Sequence, residues 1–266
     1  MLVRDINSLL EAIPALEIKP EEKTALEGEA RFLRAFAYFG LVKRYGGVPI
    51  IKAPQYSNDP EELKVPRSTE KDSWDFIIEE CGLAATMMDY GADTRRASKG
   101  AALALKSRAA LYAGTIAKYT HAPYLSLVGE AVEKKLVGIE VSEADGYFAA
   151  CMNACEELMG SGKYVLYGAT PADPDEAAKN YQTMFEEPNS ILGAVQEPIF
   201  IKGFVSGTPM VHNYDIWFSP RQTPPLGWQY LGKMNPALEL VESYEDYTDD
   251  GTGTPRMLKT RGDGVE

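Results

Sequence analysis

The sequence predicts a mainly α-helical fold, in which a series of helical hairpins is followed by an irregular, loop-rich segment. Three observations lead to this prediction. Apolar residues recur at helical spacing through roughly the first 160 residues. A short motif within that region recurs 74 residues further along the chain. Beyond about residue 165, prolines, glycines and aromatic residues replace the helical pattern.

Start and stop signals set the bounds of the first two predicted helices. Residues 2–13 carry one apolar stripe, which Pro14 stops because proline breaks the helical hydrogen-bond pattern. Pro20 opens a long second helix, since proline and the two acidic residues after it suit the first helical turn. That helix is expected to end near Tyr45, before two consecutive glycines.

Three further helices follow from the same kind of signal. Ser68 or Thr69 caps the third predicted helix, and Ser98 caps the fourth. The fifth begins near residue 143 and stops at a Gly-Ser-Gly sequence. The expected ends of these helices are near Met88, Tyr119 and Gly160.

An internal repeat connects two of these helices. The motif Arg-Ala-x-x-Tyr-x-Gly occupies residues 34–40 and again residues 108–114. Two hairpins of the tetratricopeptide type would give an offset of about 68 residues, which is close to 74 once one longer loop is allowed. Such hairpins stack into a solenoid, and a solenoid usually presents a binding surface. The alternative is that two alanine-rich helices match by chance.

One short strand is expected in the segment after the helices. Ile199, Phe200 and Ile201 form an apolar run between a proline and a glycine, which makes residues 197–204 the best strand candidate. The rest of residues 165–235 is expected to be mostly irregular.

Composition excludes several classes of function. The 27 basic and 39 acidic residues leave a net charge of −12, so phosphate backbones and anionic lipid surfaces would repel the chain. We therefore expect no nucleic-acid partner. Two histidines and three cysteines do not match any zinc-binding spacing, so no metal or cofactor is expected. Cys151 and Cys155 share one helix face and are interpreted as buried, unbonded side chains.

The sequence does not predict an enzyme. Glycoside hydrolysis needs two opposed carboxylates, whereas the pairs at residues 79–80 and 249–250 are neighbours along the chain. The chain lacks a nucleophile elbow, a P-loop and a dinucleotide-binding fingerprint. Residues 246–251 resemble a calcium loop only faintly, because the ligands required at its third and twelfth positions are missing, and a turn is the better interpretation. We therefore predict no catalytic residue.

Five stretches of the chain share their order and spacing with a known protein family. The long second helix carries the sequence EARFLRAFAYFGLVKRYGGVP at residues 29–49. The four others are residues 66–77, 99–113, 161–166 together with 197–200, and 235–244. Together these stretches resemble the SusD/RagB family over nearly the whole chain.

The resemblance implies a tetratricopeptide-like α–α superhelix that binds a ligand and does not catalyse a reaction. Members of the family are surface-exposed outer-membrane lipoproteins that capture glycans, or in some cases peptides. They pass the ligand to a TonB-dependent transporter of the SusC type. The resemblance therefore implies two partners, a glycan and a SusC-like transporter, and we expect the helical face to meet the transporter.

The chain departs from the family in length. Family members are usually much longer and begin with a lipoprotein signal and an acylated cysteine, neither of which this sequence contains. We therefore expect a fragment with apolar surface exposed where further helices would pack. Three regions are predicted: a helical repeat region at residues 1–164, an irregular aromatic-rich segment at 165–235, and the start of a truncated C-terminal SusD/RagB region at 236–266.

An aromatic loop is the predicted carbohydrate site. Residues 212–230 contain three prolines and a glycine, so a rigid loop is expected. Sugar rings present apolar C–H faces that stack on aromatic side chains, while polar groups bind their hydroxyls. The predicted platforms are Trp217, Trp228, Tyr230 and Tyr214, and the predicted polar contacts are Asn213, Arg221 and Gln222. The alternative is that these aromatic side chains only anchor the loop to the helices.

Two functions therefore follow from the sequence. The first is a surface glycan-binding protein that delivers its ligand to a SusC-like transporter. The second is a tetratricopeptide-type scaffold whose groove binds a protein or peptide, which the helical repeat alone would equally support. The aromatic loop favours the first, because peptide-binding repeats place their ligand contacts on helices.

Overall fold

A computed structural model describes most of the helical part of the chain. The described residues are 2–55, 60–61, 63–91, 93–122, 125, 127–186, 197–203, 245–246 and 256–257. The chain divides into two units, Met1–Lys202 and Gly203–Glu266.

The described residues of the first unit form seven α-helices. In chain order they are α1 (Leu2–Ala12), α2 (Pro20–Tyr45), α3 (Glu70–Met87), α4 (Lys99–Tyr119), α5 (Glu130–Glu133), α6 (Ala144–Gly160) and α7 (Pro174–Glu186). Short 3₁₀ turns at Ile13–Ala15 and Val141–Glu143 adjoin α1 and α6. No helix among the described residues is long and apolar enough to cross a membrane.

The described residues of the second unit form one small antiparallel ladder. Its strands are β1 (Glu245–Asp246) and β2 (Arg256–Met257), with Glu245 opposite Met257 and Asp246 opposite Arg256. The turn predicted at residues 246–251 lies mostly outside the described residues.

Helix starts and ends agree with the predicted signals. The Thr69 hydroxyl accepts a hydrogen bond from the Asp72 amide at 3.0 Å, so Thr69, not Ser68, caps α3. The Ser98 hydroxyl caps α4 in the same way by accepting from the Ala101 amide at 3.2 Å. These caps confirm that local side-chain chemistry sets where the two helices begin.

The internal repeat extends over two whole hairpins. Helix α3 begins at Glu70 and α6 begins at Ala144, 74 residues later, while α2 ends at Tyr45 and α4 ends at Tyr119, again 74 residues later. Helix α2 packs against α3, α4 packs against α6, and α3 lies against α4. The longer loop that the offset required lies between α2 and α3, at residues 46–69, and an equally long loop, which contains α5, joins α4 to α6. The helical-hairpin prediction is confirmed.

Aromatic and small side chains join the two hairpins into one core. Trp74 of α3 is fully buried, and its ring stacks on Tyr112 of α4 at 5.8 Å between centroids. Phe39 of α2 meets both rings edge-on. Ala35 and Ala109, the alanines of the two repeat motifs, have no exposed surface. These small residues let the helices pack closely.

Three details differ from the sequence-based expectations. Helix α7 lies within the segment expected to be mostly irregular, although Pro174 and the two acidic residues after it are a standard helix start. Residues 197–203 form no strand: Phe200 packs on the Phe32 ring and, among the described residues, one backbone hydrogen bond, from the Ile201 amide to the Thr94 carbonyl, joins this segment to another. Finally, the two cysteines of α6 are half-buried, since α6 packs on α4 along only one side.

Candidate functional site

The predicted carbohydrate-binding loop lies outside the described residues. None of its seven predicted contacts can be placed relative to the helices, so the loop stays a prediction. These residues are Asn213, Tyr214, Trp217, Arg221, Gln222, Trp228 and Tyr230.

A buried polar network occupies the first repeat. The Arg34 guanidinium, on α2, contacts one carboxylate oxygen of Glu80 on α3 through Nε at 2.9 Å and Nη2 at 2.7 Å. Its Nη1 donates to the Asn7 side chain on α1 at 2.9 Å. The Asn7 amide nitrogen in turn donates to the Ile51 carbonyl at 2.9 Å. The network therefore ties three helices and the extended residues 48–53 together.

A second arginine completes the charge balance of this network. Arg31 donates to the other Glu80 oxygen at 2.9 Å and pairs with Glu27 at 2.7 Å. Burial lowers the pKa of Arg31, but the two carboxylates outweigh this effect and the pKa is raised. Two arginines and two glutamates are thus paired with each other, and we assign them a structural role.

The same motif position in the second repeat has a different environment. Arg108 lies 74 residues after Arg34 and is exposed. The position 74 residues after Glu80 is Ala154, which carries no charge and is buried. Among the described residues, no hydrogen bond or ion pair involves the Arg108 side chain. Its guanidinium therefore keeps all of its donors available.

Arg108 lines a cavity of about 440 Å³ between α2, α4 and the chain at residues 197–202. Small side chains on α4 make room for it, and a Glu197 oxygen at its edge accepts a hydrogen bond from the Tyr167 amide at 2.8 Å. The residues that line the cavity are Phe32, Phe36, Ala101, Ala104, Leu105, Arg108, Glu197, Ile199, Phe200 and Lys202. We call it the Arg108 cavity.

Three phenylalanines form one wall of the Arg108 cavity. The Phe200 ring meets Phe32 edge-on at 5.2 Å and Phe36 at 6.2 Å between centroids. Phe32 is buried, whereas Phe36 is 50% and Phe200 is 38% exposed. The two exposed rings give the cavity an apolar surface that a ligand can reach, next to a cationic group.

A buried carboxylate lies at the start of α3, at the loop end of the first hairpin. Glu70, in the first turn of α3, is buried, and one of its oxygens accepts a hydrogen bond from the Gly138 amide at 2.5 Å. Burial raises the pKa of Glu70, which the Gly138 hydrogen bond and the nearby Trp74 indole only partly offset. The Glu70 amide also donates to the Lys135 carbonyl. Glu70 therefore holds the loop before α6 against α3.

Metal chemistry has no support in the described part of the chain. Over those residues, no group of three or more histidine, cysteine, aspartate or glutamate side chains could hold a metal ion.

Comparison with known proteins shows a likeness to one family over residues 1–111. Residues 1–111 match a family model, SusD-like, which is described as starch-binding and associating with the outer membrane. A SusD-like protein of Formosa agariphila is 30% identical over 111 residues, which are 42% of this chain and 21% of that protein. The crystal structure of a SusD-like protein from Bacteroides fragilis is 30% identical, covers 77% of this chain and has a TM-score of 0.55. Residues 1–111, which are 42% of the chain, therefore resemble the SusD-like family.

The SusD-like fold extends beyond the matched residues. The crystal structure of a SusD superfamily protein from Parabacteroides distasonis covers 91% of this chain with a TM-score of 0.63, at 22% identity. This chain spans 21% of the curated Formosa relative, 32% of the Bacteroides structure and 44% of the Parabacteroides structure. It therefore accounts for less than half of each of these relatives.

The family match covers the whole environment of Arg34 but only part of the environment of Arg108. The paired network of Arg34 and Glu80 lies wholly within the matched residues 1–111. The Arg108 cavity has its helical walls there, but residues 197–202 close it from outside that range. Sequence reasoning missed this cavity, because Phe36 fits a core helix pattern and Phe200 fitted a strand. One signal in the sequence could have revealed it: Glu80, which pairs with Arg34, is replaced by Ala154 at the position that would pair with Arg108.

Proposed function

We propose that this SusD-like chain belongs to a surface glycan-binding protein, which captures oligosaccharide or polysaccharide and delivers it to a TonB-dependent SusC-like transporter. The observation that supports this proposal best is the match of residues 1–111 to a family described as starch-binding and associating with the outer membrane. The stacked hairpins of α2, α3, α4 and α6 supply the rigid surface that such a protein needs.

The aromatic loop remains our proposed carbohydrate site. Trp217, Trp228 and Tyr230 would stack on sugar rings, and the neighbouring Tyr214 would add a fourth ring. Hydroxyl groups would bind the polar side chains of Asn213, Arg221 and Gln222. A net charge of −12 does not oppose this, because neutral glycans carry no charge for the protein to repel.

Two further parts of the proposal concern location and partner. We infer a surface-exposed lipoprotein at the outer membrane, in keeping with the description of the family. The helical face is the proposed contact with the transporter, since a preformed surface loses little conformational freedom on binding. Co-purification with the transporter that survives deletion of the helical repeats would contradict this assignment.

Affinity electrophoresis against a panel of neutral polysaccharides tests the glycan proposal. At least one glycan is expected to retard the protein, and replacing Trp217 and Trp228 together by alanine is expected to abolish the retardation. Tyr181→Ala is the matched control, because Tyr181 is an exposed aromatic residue on α7 outside the loop. Unchanged retardation in the double variant would reject the loop. No retardation by any glycan, together with binding of a peptide, would favour the scaffold alternative.

A further inference from the structure

The repeated arginine is buried and paired in the first repeat, as Arg34, but exposed and without a described partner in the second, as Arg108. This difference suggests that Arg108 binds a ligand. We propose that the Arg108 cavity binds an acidic sugar, with the sugar carboxylate on the Arg108 guanidinium and the ring against Phe36 and Phe200. The inference rests on the proposed glycan-binding function. It adds a second group of contacts, made by residues other than those of the aromatic loop, and it names the chemical class of the glycan as one that contains a uronic acid.

The charge of Arg108 is the first argument for an anionic ligand. Arginine stays protonated at every physiological pH and presents its donors in a planar fork that fits a carboxylate with two parallel hydrogen bonds. In the first repeat, one carboxylate oxygen of Glu80 contacts both Nε and Nη2 of Arg34. In the second repeat, Ala154 occupies the place of that glutamate, and no described side chain pairs with Arg108. The position is therefore open for a carboxylate from outside the protein.

The balance of charge around the cavity is the second argument. Although the chain has 39 acidic and 27 basic residues, the cavity is lined by two basic residues, Arg108 and Lys202, and one acidic residue, Glu197. Of these three, Arg108 is a basic residue whose side chain makes no hydrogen bond or ion pair among the described residues.

The apolar wall and the volume favour a sugar as the carrier of this carboxylate. The exposed rings of Phe36 and Phe200 can pack on the C–H face of a sugar ring, as aromatic side chains do in carbohydrate sites. The cavity volume of about 440 Å³ lies in the range of small-molecule pockets. The cavity can therefore hold only a few sugar rings of a longer glycan. Glu197, held by the Tyr167 amide, offers a carboxylate oxygen to a sugar hydroxyl.

Isothermal titration calorimetry on the full chain tests this proposal with defined probes. Trigalacturonate and a hyaluronan hexasaccharide are the acidic probes, and the trimethyl ester of trigalacturonate is the matched neutral probe. At least one acidic probe is expected to bind, and if it is trigalacturonate, its ester is expected to bind about tenfold or more weakly. Binding of the acid is also expected to weaken as salt is added, because the charge on Arg108 is exposed.

Substitutions distinguish a specific contact with the Arg108 guanidinium from a general effect of positive charge on binding. Arg108→Gln is expected to weaken binding of the acidic probe about tenfold or more, and Arg108→Lys is expected to restore it only in part because the planar fork is lost. Phe36→Ala is expected to weaken the acid and its ester alike. Arg4→Gln is the control, since Arg4 is an exposed arginine that does not line the cavity. Circular dichroism verifies that each variant keeps its helices.

The outcomes distinguish this inference from the proposed function. If Arg108→Gln binds the acidic probe as the wild type does, or if neither acid binds while neutral polysaccharides do, the inference fails and the glycan proposal stands. If no saccharide of either kind binds, both fail. A preference for a peptide with a free C-terminal carboxylate over both acidic sugars would also overturn the inference.

Discussion

The two helical hairpins share a motif and a 74-residue offset, yet they use the motif differently. In the first hairpin Arg34 is buried and paired with Glu80. In the second, Arg108 is exposed and Ala154 replaces the glutamate. Helix α1 and the extended residues 48–53 cover the first hairpin, whereas a cavity lies beside Arg108. The same repeated arginine is therefore buried and paired where α1 and residues 48–53 cover it, and exposed beside a cavity where those elements have no counterpart among the described residues.

Removing the shared carboxylate should give the largest difference between the hairpins. Glu80→Ala leaves Arg34 buried without its counter-ion, which we expect to lower the free energy of unfolding by about 3–5 kcal/mol. Glu157→Ala is the control in the second hairpin, because Glu157 pairs with Lys99 near the surface and its loss should cost less than about 1 kcal/mol. Urea unfolding followed by circular dichroism measures both. Equal losses would show that the buried network does not stabilise the first hairpin.

The glycines at the end of the motif should respond in opposite directions. A methyl group at Gly114 would lie 2.9 Å from the Phe148 ring, so Gly114→Ala is expected to cost about 1–3 kcal/mol. A methyl group at Gly40 would meet only the Arg44 side chain at 3.7 Å, so Gly40→Ala should stabilise α2 by up to about 1 kcal/mol. The melting temperatures of the two variants, relative to the wild type, test these opposite expectations. A stabilised Gly114→Ala would mean that α4 and α6 do not need the close approach.

The tyrosines of the motif should differ more modestly. The Tyr38 hydroxyl donates to the Pro49 carbonyl at 3.2 Å and accepts from the Ile51 amide at 2.8 Å. Tyr38→Phe should therefore cost about 1–2 kcal/mol, because the part-buried Ile51 amide loses its acceptor. The Tyr112 hydroxyl makes no hydrogen bond among the described residues, and Tyr112→Phe should change stability by less than about 0.5 kcal/mol. If urea unfolding shows that the two variants lose similar amounts of stability, the hydrogen bonds of the Tyr38 hydroxyl do not distinguish the two tyrosines.

The smallest expected effect depends on pH. Glu70 begins α3, while the uncharged Ala144 takes its place at the start of α6. Because burial raises the folded-state pKa of Glu70, its carboxyl group loses its proton less readily in the folded chain than in the unfolded chain. Stability from this group is therefore complete below the unfolded pKa of about 4.3 and declines as pH rises through the folded value.

The isosteric variant isolates this contribution from those of other carboxylates. Glu70→Gln can still accept the hydrogen bond from the Gly138 amide, but it carries no charge to bury. The melting temperature of the variant, relative to the wild type, is expected to rise between pH 4 and pH 7. A relative melting temperature that stays constant over this range would show that Glu70 does not titrate differently in the two states.

Local signals predicted most of the helical architecture. Proline starts, hydroxyl caps and terminating glycines act within one helical turn, so α2 and α4 begin and end where the sequence placed them. The strand expected at residues 197–204 was wrong because a short apolar run has no preferred structure until it meets a partner. Its partner is the pair of phenylalanines on α2, so Phe200 packs against a helix.

The candidate site was far less predictable than the fold. The Arg108 cavity joins α2, α4 and residues 197–202, which are far apart along the chain. The 74-residue repeat relates α2 to α4, but no periodicity or spacing in the sequence relates either helix to residues 197–202. The aromatic loop at residues 212–230 could be selected from composition alone, and its role remains a prediction.

The amino-acid pattern was enough to predict α1–α4 and α6, their approximate ends and the 74-residue repeat, because each depends on interactions between residues near each other in the chain. It did not determine the different fates of Arg34 and Arg108. Burial is a property of what packs on a residue, and here α1 and the chain after α2 cover the first arginine alone. Only the tertiary structure decided which arginine pairs with Glu80 and which one faces a cavity.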